Sequence, residues 1–135
     1  MATRGRIGIE LSDGSILSSY HHWDSYPEWL GRILNTHYNT KSLVEELIDG
    51  GDMSSCWSDA CWETKLPVGE YGPEYYSQRG EECPPRLDAD LNEYLMNGEE
   101  YWYLFTNGEW VCYGNDDRVP FGVKEYEIHP AALAV

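Results

Sequence analysis

Apolar and polar residues alternate from Arg6 to Leu11, and Asp13-Gly14 separates this run from a second one, Ser15 to His22. A period of two marks a strand with one buried face, and Asp-Gly is favoured where a hairpin turn needs positive φ. Two strands are therefore expected, Arg6 to Leu11 and Ser15 to His22. A two-residue turn sets Ser12 opposite Ser15, which puts Ile7, Ile9, Leu11, Ile16, Tyr20 and His22 on one face. His22 then ends the second strand on the core side as a buried, hydrogen-bonded histidine, while His21 and Trp23 point the other way.

After Trp23 the period lengthens. Leu30, Ile33, Leu34, His37 and Tyr38 recur at helical spacing, behind a start signal in which Ser25 caps, Pro27 occupies the first turn and Glu28 completes a capping box. A second helix fits Ser42 to Asp49, with Leu43, Val44, Leu47 and Ile48 on one side and Gly50-Gly51 at its end. Between Asp52 and Pro85 periodicity fails, and Trp57, Trp62, Tyr71, Tyr75 and Tyr76 point to an ordered but irregular path. Leu87, Leu91, Tyr94 and Leu95 predict a short acidic helix closed by Asn97-Gly98, and Phe121 to Ile128 an edge strand. The strongest hairpin signal is Asn107-Gly108, between Tyr101 to Phe105 and Trp110 to Tyr113.

These elements predict an α+β fold in a single domain, residues 1 to 135. Its antiparallel sheet comes from two hairpins (Arg6 to His22, Tyr101 to Tyr113), with the helical pair of residues 26 to 49 on one face and the long aromatic-rich loop around it. A chain of this length buries enough surface to fold without disulfides or metal. Mean hydropathy is -0.58 with no apolar run of membrane-spanning length, and no apolar signal core follows Met1, so a cytoplasmic protein that does not engage membrane is expected. Cys56, Cys61, Cys83 and Cys112 show no zinc-ribbon spacing and are expected to be reduced thiols; no metal or cofactor is expected.

Potential chemistry concentrates in Tyr20-His21-His22-Trp23-Asp24-Ser25-Tyr26-Pro27. Asp24 could orient His22, leaving the other ring nitrogen as a base, and Arg79 and Glu81 from the long loop could close over the pair and hold an anion. Each has a structural alternative, because Asp24 can cap the helix and Arg79 can pair with Glu81. No nucleophile elbow, phosphate loop or paired-histidine metal motif is present.

The segments His22-Trp23-Asp24, Tyr26-Pro27, Gly31, Leu34, His37-Tyr38, Ser54-Ser55, Arg79-Gly80-Glu81 and Tyr103-Leu104-Phe105 resemble a family of small proteins of tailed bacteriophages and bacteria. Its members carry a His-Trp-Asp-Gly-Tyr-Pro segment and a later Arg-Gly-Glu. Here Ser25 stands where the family has glycine, and Gln78 where an acidic residue often precedes the arginine. The resemblance implies a phage-like context, hence the host cytoplasm, and no particular reaction.

Charge adds the functional argument. The net charge is -15, and from Glu81 to Asp117 ten acids face the single base Arg86. So few bases disfavour direct nucleic-acid binding. A solvated acidic surface serving solubility is the alternative reading of this charge, and the commoner one. The reading that goes further is a small acidic accessory protein that binds a basic host protein, a nucleic-acid-handling or defence factor, through Asp88, Asp90, Glu93, Glu99 and Glu100, imitating nucleic acid for host takeover or counter-defence. The alternative is a small hydrolase-like enzyme or small-ligand-binding protein using His22, Asp24, Arg79 and Glu81.

Overall fold

The computed structural model describes residues 3–23, 25–56, 73–96, 99–114 and 120–122, without the side chains of Glu28, Glu74, Arg79 and residues 120–122. Asp24, Trp57, Cys61, Trp62, Tyr71, Asn97-Gly98, Asp116, Asp117 and residues 123–128 lie outside it. In chain order the elements are β1 (Gly5–Glu10), β2 (Ile16–His21), a wide π-type turn (Pro27–Gly31), α1 (Arg32–His37), α2 (Lys41–Asp49), β3 (Met53–Ser55) and β4 (Glu74–Tyr75). A 3-10 turn (Tyr76–Arg79), β5 (Arg86–Asp88), α3 (Leu91–Tyr94), β6 (Tyr101–Thr106), β7 (Glu109–Gly114) and β8 (Pro120–Gly122) follow.

Both hairpins belong to one sheet, ordered β4-β3-β2-β1-β6-β7-β8, with β5 also on β2. The sheet is mixed, which corrects the antiparallel expectation: β1 runs parallel to β6, and β2 parallel to β3. The cause lies in β6. Trp102, Tyr103, Leu104 and Phe105 are consecutive and all buried, so this strand needs cover on both faces and sits inside the sheet beside β1. The irregular stretch after Asp52 is also more regular than expected, since it supplies β3 and β4.

One layer of core holds Ile7, Ile9, Tyr103, Phe105 and Cys112 against Leu30, Ile33, Leu34, Val44, Leu47 and Ile48. The helical pair therefore covers one face as its stripes imply, except that Leu43 is 38% exposed. The opposite face packs Ile16, Trp102, Leu104 and Tyr113 under Tyr94 and Leu95 of the α3 segment. Leu87 of β5 points outward at 59% exposure, because Asp88 takes the inward position. No helix among the described residues is long and apolar enough to cross a membrane.

The first hairpin departs from expectation by one residue. Ile7 pairs with Ser19 and Ile9 with Leu17, and the amide of Leu11 donates to Ser15 O at 2.8 Å. The loop therefore has three residues, Ser12, Asp13 and Gly14. Gly14 N–H donates back to Leu11 O, and only Gly14 takes positive φ, at 88°. Asp13 keeps negative φ and uses its carboxylate to accept from the amide and hydroxyl of Ser15. A slip of one residue exchanges the faces of β2. His21 goes into the core and His22 out, the reverse of the sequence expectation.

Candidate functional site

The end of β2 carries the densest chemistry. Opposite His21 stands Met53 of β3, and beyond it Tyr75 of β4. His21 is fully buried on the helix side. The amide of Cys56 donates to its Nε2 at 3.1 Å, so the ring proton resides on Nδ1, which donates to Ser25 Oγ at 2.8 Å. The Ser25 hydroxyl in turn donates to His21 O at 3.1 Å. Burial, and secondarily the charge of His22, push this imidazole down to about 3, so it stays neutral. A neutral ring with both nitrogens committed and no access to solvent is a structural tie between β2, β3 and the approach to α1.

Ser25 is the other half of that tie and does not cap the helix as expected. Tyr26 holds the cap position, with no side-chain capping bond. Ser25 is fully buried; its amide donates to Thr3 O at 2.9 Å, and its carbonyl accepts from the Tyr103 hydroxyl at 2.7 Å. Gly5 makes the fit possible. A Cβ there would stand 2.8 Å from Ser25 Cβ and 3.0 Å from the backbone oxygen of Tyr101.

His22 faces the other way and is half-buried. Its Nδ1 lies 2.7 Å from the Tyr20 hydroxyl, and its ring meets Trp23 edge-on with centroids 4.6 Å apart. Burial pushes the Tyr20 phenol up to about 12, so Tyr20 stays protonated beside Nδ1. Asp52 stands next to Tyr20 across the sheet and accepts its amide at 2.9 Å. Tyr20, His22 and the 48% exposed Trp23 thus form an aromatic rim able to stack on or hydrogen-bond a ligand.

The expected cluster of His22, Asp24, Arg79 and Glu81 turns on Asp24 and the Arg79 side chain, both outside the described part. Glu81 is exposed. It lines an open groove of about 540 Å³ together with Gly50, Ser77, Gly80, Glu82, Cys83 and Pro84. Gly80 ends the 3-10 turn at φ 85°, and Asp52 N–H donates to Cys83 O at 2.8 Å, which fixes this strip against the end of α2. The carbonyl end of α2 makes the groove electronegative. Burial and the charges of Asp52 and Glu81 push the Cys83 thiol up, away from nucleophilic thiolate character.

The five acids expected to meet a partner divide. Asp88 is 4% exposed and bound to Arg86 at 3.0 Å, so its carboxylate is turned inward and already paired. Asp90 is exposed but accepts the Glu93 amide at 2.9 Å as the cap of α3. Glu93 is exposed, and Glu99 and Glu100 are half-buried. Burial raises the Glu99 carboxyl despite the positive charges of Arg6, Arg86 and Arg4. Sequence reasoning missed the residue these charges share, Arg6, because an arginine opening an alternating strand reads as solvated. Among the described residues, no group of three or more acids, histidines or cysteines is arranged to hold a metal ion.

Comparison with family models, curated proteins and solved structures finds no match to this chain.

Proposed function

We propose that the protein is a non-catalytic binding protein whose acidic surface docks on a basic protein partner, in the phage-like context that the His22-Trp23-Asp24 and Arg79-Gly80-Glu81 segments imply. The observation that carries this reading is the split between the two signs of charge. Among residues with described side chains, ten carboxylates are exposed against two cations, Arg4 and Lys41. Lys41 already pairs with Glu45 at 3.9 Å, Arg86 with Asp88, and Arg6 is buried. The acidic field is therefore left almost unopposed at the surface.

Glu81 and Glu82 stand on the groove wall, Asp52 is bonded to Cys83 of that wall, and the exposed Asp49 precedes Gly50 at the end of α2. They support a docking face for lysine or arginine side chains, in place of the strip centred on Asp88. Charge of this kind raises association rate and selects partners by sign more than it adds affinity, so binding should weaken as salt shortens the screening length. A nucleic-acid-handling host protein fits because its phosphate site presents the required cations.

The test is capture from bacterial lysate by the full chain, compared with the triple variant Asp49→Lys, Glu81→Lys, Glu82→Lys. A basic protein held at low salt, released at high salt, displaced by duplex DNA and lost with the variant is the expected result. Capture that ignores both salt and charge reversal would overturn the reading.

A further inference from the structure

A guanidinium cannot shed its proton within the range a protein tolerates, so burying one demands a nearby anion. Arg6 is 6% exposed, on the sheet face opposite α1 and α2. Its Nε donates to Ser18 Oγ at 3.0 Å and its Nη2 to Ser18 O at 3.3 Å. No described carboxylate lies within the 4.0 Å of an ion pair with it. The charges of Asp52 and Glu99 reach Arg6 from beyond contact distance; Asp52 accepts the Tyr20 amide, and Asp88 pairs with Arg86. In a chain of net charge -15, a buried cation with no described carboxylate in direct contact is the least expected arrangement.

More positive charge converges on the same place. Ser18, which holds Arg6, stands directly opposite Arg86 of β5, and Arg86 is braced by Asp88. Arg4, exposed, lies two residues before Arg6 on the same chain. Glu99 sits in the field of all three arginines, yet its Oε2 is buried and accepts no hydrogen bond. The carboxylate is near the cations without engaging them. Directly across from Arg6 stand Trp102, fully buried, and Tyr20, which opens toward the aromatic rim.

We propose that Arg4, Arg6 and Arg86 form a binding site for a phosphoryl-type oxyanion on this face, with Glu99 as an internal placeholder that the ligand displaces. Tetrahedral phosphate matches the site better than a carboxylate. Guanidinium forks supply more N–H donors than two carboxylate oxygens take up, and the resident carboxylate of Glu99 leaves Arg6 without an ion pair. The source is free phosphate or the phosphate ester of a small molecule whose remainder reaches Tyr20. The site differs from the acidic groove in both residues and charge, so either assignment can fail alone.

The experiment titrates the full chain with inorganic phosphate, phenyl phosphate and acetate at constant ionic strength, following the Arg6 Nε–H and Ser18 amide signals by NMR. Saturable shifts with both phosphates, and none with acetate, are expected. Tighter binding of phenyl phosphate would identify an ester as the source, and equal binding free phosphate. Glu99→Gln should tighten phosphate binding several-fold, and Arg6→Gln should weaken it about tenfold or more. If Arg6→Gln fails to fold, the exposed Arg4→Gln provides the same test, with an expected weakening of about threefold. No saturable shift, an equal response to acetate, or an affinity indifferent to both Glu99→Gln and Arg4→Gln would overturn the proposal.

Discussion

The two hairpins begin from similar sequence signals and turn differently. At the second, Asn107 and Gly108 both take positive φ, 52° and 76°, and Thr106 pairs with Glu109 across a two-residue loop. At the first, Asp13 stays at negative φ, Gly14 alone crosses over, and the loop takes in Ser12. Asparagine tolerates the left-handed region better than most residues with a side chain. Asp13 instead spends its carboxylate on Ser15, a choice available only because Ser15 supplies both an amide and a hydroxyl at the right offset. The difference is one residue of loop, and it decides which of two adjacent histidines becomes core and which faces outward.

The largest expected effect tests that division directly. His21→Ala should destabilise the fold by about 3 kcal/mol or more, since it empties a buried site and removes both ring bonds, the Nε2 acceptor of the Cys56 amide and the Nδ1 donor to Ser25 Oγ. His22→Ala should cost less than about 1 kcal/mol. Denaturant unfolding of the two variants measures both. Equal costs would mean that the faces are not divided as described.

Titration sharpens the same contrast. His21 is held at about 3 in the fold, below its ordinary value of 6.5, so between these limits the unfolded chain binds a proton that the folded chain refuses. The neutral ring's contribution is complete above pH 6.5 and is lost as pH falls toward 3, with a slope approaching ~1.4 kcal/mol per pH unit. Unfolding free energies collected across this range should show that slope in the native chain and in His22→Ala, and lose it in His21→Gln. A slope that survives His21→Gln would assign it to another group.

Gly5→Ala probes the support beneath His21. The added methyl meets Ser25 and the backbone oxygen of Tyr101, neither of which can withdraw as a flexible side chain would. A loss of about 1 to 3 kcal/mol is expected by thermal or chemical unfolding, and a neutral result would show that Ser25 is not clamped.

The smallest effects belong to the turns. Gly14→Ala and Gly108→Ala meet no neighbouring atoms, so each should cost only the left-handed strain of about 1 kcal/mol. Deleting Ser12 leaves Leu11 opposite Ser15 around a two-residue Asp-Gly loop, the turn that the dipeptide alone favours. His21 should then stay buried, with a stability change under about 1 kcal/mol. A large loss, or His21 becoming accessible, would show that the three-residue loop is needed for register and not merely compatible with it.

The sequence by itself determined the elements whose signals are local. The stripe of Leu30, Ile33 and Leu34 and that of Val44, Leu47 and Ile48 identify two helices and their buried sides, because a 3.6-residue period leaves no alternative face for them. Asn107-Gly108 determined the second hairpin because both residues accept the positive φ of a two-residue turn. Only the tertiary structure decided the parallel pairing of β1 with β6 and the face on which each histidine lies. The first follows from where a doubly buried strand can be covered, and the second from a turn whose length depends on one serine's hydrogen bonds. Arg6 was illegible for a related reason: the groups that set the surroundings of this strand-opening charge include Arg86, Tyr94 and Glu99, about eighty residues and more away along the chain.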